Sequence, residues 1–224
     1  VRDNQEVPYD ADRDGAELVA DKIALRRESA FVADFFTTSI WTTDVTGGST
    51  VTVWSNYAGS SPLEDCETYK DTMLGLIGKE PTVFALGNQV WIKLKLHPDL
   101  LDTIKYTERA IVGPELFASL IGIPKVRIGK AIVTSTPEGT AEASVSYSRV
   151  WGKHGLMLYV PDRPGLSVPA AGYCLTWKRV PGSLSYVVRH RDDEREVDII
   201  EGNTYFDHVK TEAGAGVFFS GIVA

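Results

Sequence analysis

The sequence predicts an α+β fold, with one long helix first, mixed helices and strands next, and strands last. Three observations predict it. An apolar pattern of helical period runs over about residues 14–36. Past Thr134 the chain turns mostly to short apolar or alternating runs of strand length. Twenty glycines and 11 prolines in 224 residues call for many turns, and no βαβα rhythm of a doubly wound sheet is present. No repeat at solenoid or propeller spacing interrupts this order.

In the first helix Ala16, Val19, Ala20, Ile23, Ala24, Ala30, Phe31 and Phe35 form one broad apolar face. Arg27 and Asp34 fall inside that face. They read either as an internal ion pair one heptad apart with snorkelling side chains, or as contacts to a neighbouring subunit. Residues 37–48, rich in Thr and Gly, end the helix, and residues 49–54 alternate like a short strand. Ser61-Pro62-Leu63-Glu64 then combines an N-cap serine, a proline at the first helical position and a capping-box glutamate. Cys66, Tyr69, Met73 and Ile77 follow at helical spacing, and Gly78 is placed to stop the helix.

Residues 81–86 read as a buried strand, 88–96 and 98–104 as helices, and Gly113-Pro114-Glu115 opens a helix that Gly122 stops. A strand starts at Val126-Arg127-Ile128 and continues through 131–133. Further strands are expected near 143–147, 155–160, 173–178 and 184–191. The last of these turns at Arg191-Asp192-Asp193-Glu194-Arg195 and returns over 197–200. A glycine-rich turn from Ala213 leads into a final apolar strand.

Composition bounds the function. The formal net charge of −7, from 30 acidic and 23 basic residues, argues against a chain whose main task is gripping nucleic acid. Such domains carry a basic stripe, and no such run is evident along the sequence. Cys66 and Cys174 lack CxxC spacing and read as free thiols, which favours a reducing site of synthesis. No apolar run approaches the ~20 residues that span a membrane, and no basic-then-apolar leader opens the chain. The start at Val1 without methionine carries the expectation of a processed product or a part of a longer chain.

Motifs for chemistry fail one by one. Residues 122–130 end in Gly-Lys like a phosphate loop, but the spacing is two residues too long and Ala131 replaces the magnesium-binding hydroxyl. Gly214-Ala215-Gly216 lacks the third glycine and precedes a strand, so the dinucleotide fingerprint fails as well. His97, His154, His190 and His208 are scattered, without HExxH or paired Cys/His spacing. No GxSxG elbow is present, and His154 with Asp162 and a nearby serine is a combination any chain of this size offers. Residues 189–198 mix both charge signs, as a solvated hairpin or as ion pairs between subunits. The expectation is no catalytic residue, no cofactor and no metal.

The order of motifs is more specific than any one of them. Leu25-Arg26-Arg27-Glu28-Ser29-Ala30-Phe31 leads into Phe35-Phe36-Thr37-Thr38-Ser39-Ile40-Trp41, followed by Trp54 and Ser61-Pro62-Leu63-Glu64. Ala85-Leu86-Gly87-Asn88-Gln89-Val90-Trp91 and His97-Pro98-Asp99-Leu100-Leu101-Asp102-Thr103-Ile104-Lys105-Tyr106-Thr107 come next, and Val126-Arg127-Ile128-Gly129-Lys130-Ala131 closes the series. From about residue 10 onward this series resembles the major capsid proteins of tailed bacteriophages and prophages with the Hong Kong 97-type fold.

The resemblance implies a phage major capsid fold with a long spine helix, a peripheral domain and an axial domain. Residues 1–13 would end an extended loop or arm, 14–56 and 184–224 would form the peripheral domain, and 57–183 the axial domain. It further implies a structural, non-enzymatic subunit of an icosahedral virus head that self-assembles into hexamers and pentamers around the phage genome. Its partners would be copies of itself, portal, scaffold and decoration proteins, and enclosed DNA bound without sequence specificity, with no membrane. Assembly would take place in the bacterial host cytoplasm. Arg27, Asp34, Arg191, Asp192, Asp193 and Arg195 are the candidate subunit-interface residues. A nanocompartment (encapsulin-like) shell protein is the alternative, because that family is similar in fold. An enzyme and a decoration or tail component are the more distant rivals.

Overall fold

The computed structural model of the protein describes residues 10–105, 112–137, 139–165, 168–177 and 185–224. The expected arm residues 1–9, Tyr106 and Thr107 of the central motif, and residues 178–184 at the ends of two expected strands lie outside the described residues.

Among the described residues five α-helices form where the apolar periodicity and the punctuation place them. They are α1 (Ala11–Phe35), α2 (Pro62–Ile77), α3 (Asn88–Leu94), α4 (Pro98–Ile104) and α5 (Pro114–Ile121). Gly78 and Gly122 end α2 and α5 in the left-handed conformation, at φ 66° and 67°, where a Cβ would be strained. The strands are β1 (Thr43–Thr46), β2 (Val83–Gly87), β3 (Lys125–Gly129), β4 (Ile132–Thr134), β5 (Tyr147–Arg149), β6 (Gly155–Leu158), β7 (Gly172–Thr176), β8 (Ser185–Asp192), β9 (Val197–Thr204), β10 (Phe206–Lys210) and β11 (Gly216–Ser220).

Four local expectations are corrected. Residues 49–54 form no strand beyond a single bridge between Gly47 and Val51, because the amides of Thr50 and Val51 turn back to the Thr46 carbonyl. The strand of that region is β1, inside the segment read as a helix terminator, and it is drawn out by parallel pairing with β11. The expected continuous strand over 126–133 divides at Gly129 into β3 and β4, which join different sheets. Residues 142–144 form a 3-10 turn, so the strand expected at 143–147 begins only at Tyr147.

The chain divides into two compact units. The larger comprises residues 32–173 and 210–224 and is organised by a five-stranded sheet of order β1-β11-β6-β2-β3. The outer pairs β1–β11 and β2–β3 are parallel, while β6 runs antiparallel to both of its neighbours. On one face Phe84, Leu86, Met157, Val217 and Phe219 meet Cys66 and Met73 of α2, Leu94 of α3 and Phe117 of α5 in one buried cluster.

The other face is covered by aromatic side chains. Trp41 lies against Gly216, where an added Cβ would stand 2.1 Å from the indole, and Trp151 lies against Gly129, where the distance would be 2.0 Å. Phe36 meets Trp151 edge-on with ring centroids 5.0 Å apart, and the Trp41 indole donates to the Phe35 carbonyl at 2.9 Å. The motif Phe35-Phe36…Trp41 thus covers the second face of the sheet, which a sheet buried on both sides requires.

The smaller unit comprises residues 1–31 and 174–209. In its described part, α1 lies on the antiparallel hairpin of β8 and β9. Gly202 of β9 receives Val19 and Ile23, whose nearest atoms would stand 2.3 and 2.6 Å from an added Cβ. Ile200 approaches Gly15 in the same way. The packed stripe of α1 is therefore narrower than the broad face expected, and Ala20 and Ala24 stay exposed. The larger unit holds residues 32–56 and β11 in and around the same sheet as residues 57–173.

Candidate subunit interface

Arg27 belongs to the packed stripe of α1 four residues after Ile23, and its guanidinium lies 5.8 Å from the centroid of the Phe206 ring. A cation over an aromatic face, with its stem along apolar neighbours, accounts for a charge at that position. Asp34 lies in the larger unit and is exposed. Phe31 meets His208 edge-on at 6.0 Å.

The other four candidates sit at the tip of the β8–β9 hairpin. Asp192 builds the turn, its Oδ1 accepting the amides of Glu194 at 3.1 Å and Arg195 at 3.3 Å. The backbone returns through Glu196 at φ 55°. Arg191 reaches Asp193 at 3.3 Å and Asp198 at 3.8 Å, and Arg195 reaches Asp192 at 3.8 Å. Arg189, further down the ladder, bridges Asp198 at 3.5 Å and pairs with Asp12 of α1. The arginines of these pairs are exposed and Asp192 and Asp198 are half-buried, so each pair is open to solvent and worth about 0–1 kcal/mol.

One surface escaped the sequence reading. Leu175, Trp177 and Tyr205 are exposed, Trp177 by 67%. With Thr176, Phe206 and Asp207 they line a shallow cleft of about 400 Å³. The Trp177 and Tyr205 rings meet at 5.4 Å. The two-residue spacing of Leu175 on β7 and Trp177 just past its end is the signal that puts both on one face.

Buried His97 and half-buried His154 are held as structural acceptors. His97 is 1% exposed. Its Nδ1 accepts the Asp99 amide at 3.2 Å, which caps α4 and places the ring proton on Nε2. Nε2 stands 2.9 Å from Ser60 Oγ, and the Ser60 hydroxyl donates to the Asn56 carbonyl at 2.7 Å. A nucleophile–base pair needs the opposite polarity, with the imidazole accepting from the serine and its Nδ1–H donating to a carboxylate. His154 likewise accepts the Gly221 amide on Nδ1 at 3.1 Å and stacks on Phe218 at 5.6 Å. Burial lowers the pKa of both histidines, with Asp99 opposing the shift at His97. Among the described residues no group of three or more His, Cys, Asp or Glu is disposed to hold a metal ion. Among them, too, no helix is long and apolar enough to cross a membrane.

No protein-family model matches the chain. It is 26% identical over 230 residues to the major capsid protein of Burkholderia phage BcepMu, spanning 99% of this chain and 70% of that protein. Its fold superposes with a TM-score of 0.75 on the crystal structure of a phage-related protein from Bordetella bronchiseptica RB50, at 23% identity, covering 92% of this chain and 66% of that one. The holo-SrpI encapsulin complex of Synechococcus elongatus PCC 7942 is similar at a TM-score of 0.50 and 14% identity, over 99% of this chain and 69% of that one. The chain thus spans about two thirds of the length of these relatives. The α+β expectation agrees with these folds. The chain shares its fold with a phage-related protein, and by sequence it is a homologue of a phage major capsid protein.

Proposed function

We propose that the chain is the structural subunit of an icosahedral phage head, assembling with copies of itself into hexamers and pentamers that enclose DNA, and that it is not an enzyme. The observation that carries this reading is the match to a phage major capsid protein along 99% of the chain. The acceptor geometry of His97 and His154 supports the non-enzymatic part. In the head, the unit of α1 and the β8–β9 hairpin takes the peripheral place, and the five-stranded-sheet unit takes the axial place around each capsomer centre. Residues 32–56 and 210–224 then go with the axial part, with which they pack. The hairpin-tip charges Arg191, Asp192, Asp193 and Arg195, together with Arg27 and Asp34, lie at or near subunit boundaries. Portal, scaffold and decoration proteins are the further partners, and assembly takes place in the host cytoplasm.

The encapsulin-like fold sustains the second reading, a nanocompartment shell, at a lower structural similarity than the phage-related protein. Production of the full-length gene product in cells carrying the phage genome and its other head proteins, sedimentation of the lysate and measurement of the contents separate the two. Particles holding nuclease-protected phage DNA are expected. Particles filled with a co-purifying enzyme and no DNA would favour the nanocompartment.

A further inference from the structure

On a chain of net charge −7, one sheet edge is basic and has no ion pair among the described residues. Strand β3 is the outer strand of the five-stranded sheet, so its far side carries no neighbouring strand within that sheet. Arg127 on β3, Lys130 just beyond it and Arg149 on β5 are all exposed. The fold joins them: Ile132 of β4 pairs with Arg149, and the Val150 amide donates to the Ala131 carbonyl at 3.0 Å. Sequence positions 116–137 and 143–161 contain no Asp or Glu. Among the described residues none of the three cations has a carboxylate within ion-pair distance. Beside them Ile132 and Tyr147 are 53% and 67% exposed, on a two-stranded ribbon that such a pairing alone stabilises marginally in water.

The same unit presents the complement. Glu64, Glu67, Asp71 and Leu74 of α2 fall at spacings of three and four residues, on one exposed helix face. Glu67 is paired with Lys70 at 2.9 Å, whereas Glu64 and Asp71 have no such cation among the described residues. Seven residues of helix place the Cα atoms of Glu64 and Asp71 about 10.5 Å apart, and the three residues from Arg127 on β3 to Lys130 past its end span at most about 10.5 Å. Leu74, 40% exposed, continues the acidic stripe as Ile132 continues the basic edge.

We infer that the basic edge of one copy docks on the outer face of α2 of the next. Arg127 and Lys130 lie opposite Glu64 and Asp71, and Ile132 lies beside Leu74. The contact joins two different surfaces, so it propagates head to tail and closes a ring when the rotation allows. It rests on the coat-subunit reading above and names the surfaces by which neighbours join within a capsomer.

Charge reversal in the full-length protein tests it, with the assembled fraction read by sedimentation and negative-stain microscopy. R127E/K130E and E64K/D71K should each lower that fraction on the order of tenfold, since like charges then face each other. The combined four-site variant should return it to within about twofold, because reversing both surfaces restores the complementarity. A folding defect would not be rescued by changes on the other surface, so the combination keeps the test decisive. Normal assembly of R127E/K130E, whatever its DNA content, overturns the inference, as does failure of the combination to rescue. Absence of particles from the unsubstituted protein with its phage partners present would instead remove the coat reading on which it rests.

Discussion

At the scale of single residues, the larger unit relies on groups whose chemistry is fixed by burial. His97 and His154 both accept a backbone amide on Nδ1, so a proton there would set a donor against a donor. Their folded pKa values lie below the ordinary 6.5. Between that lowered value and 6.5 the unfolded chain binds more protons, so their contribution is complete above about pH 6.5 and lost as pH falls. Thermal midpoints of the unassembled protein should therefore drop from pH 7.5 to 5.5. His97→Asn keeps an N-cap acceptor without the titration and should flatten part of that slope; an unchanged slope would remove His97 from the account. Cys66 is fully buried with its thiol pKa pushed up by burial, whereas Cys174 is exposed. One thiol per native chain should react with a disulfide reagent at pH 8, and two after denaturation. Gly216→Ala drives a methyl into the Trp41 indole and should cost about 1–3 kcal/mol in a denaturant melt.

At the scale of elements, helix punctuation was legible and strand partnership was not. Pro62, Gly78, Pro114 and Gly122 act locally through φ and a missing amide hydrogen, so sequence alone places α2 and α5. The capping box does not form as read, because Ser61 makes no side-chain cap. The orphan Leu63 amide donates instead to Asp99 Oδ2 at 3.2 Å, from α4 thirty-six residues away. Asp99→Ala should thus cost about 1 kcal/mol, while Ser61→Ala should stay within about 0.5 kcal/mol; equal effects from the two would contradict this assignment. Strands β1 and β10 escaped because each is short and polar. They are held by long-range pairing with β11 and β7, which periodicity over a few residues does not report. The hairpin tip was found from its charges. The basic edge was not, because Arg149 comes beside the segment that follows Lys130 only when β4 pairs with β5.

At the scale of the whole molecule, the ordered motifs carried the fold class and the capsid resemblance. Phe35-Phe36…Trp41 and Trp151 cover one side of the sheet, and α2, α3 and α5 cover the other. Both are consequences of a sheet that must be shielded twice. The larger compact unit draws on distant parts of the chain, since β11 returns from the far end of the sequence to lie between β1 and β6. The acidic balance is compatible with a shell that confines DNA by enclosure, where many modest contacts per subunit sum to a stable assembly. The most direct test is cryo-electron microscopy of the full-length gene product expressed with its phage partners. The account predicts closed icosahedral particles whose hexamers and pentamers are built from this chain, with the five-stranded-sheet unit around each capsomer axis. A protein that stays monomeric under every assembly condition, with those partners present, would contradict it.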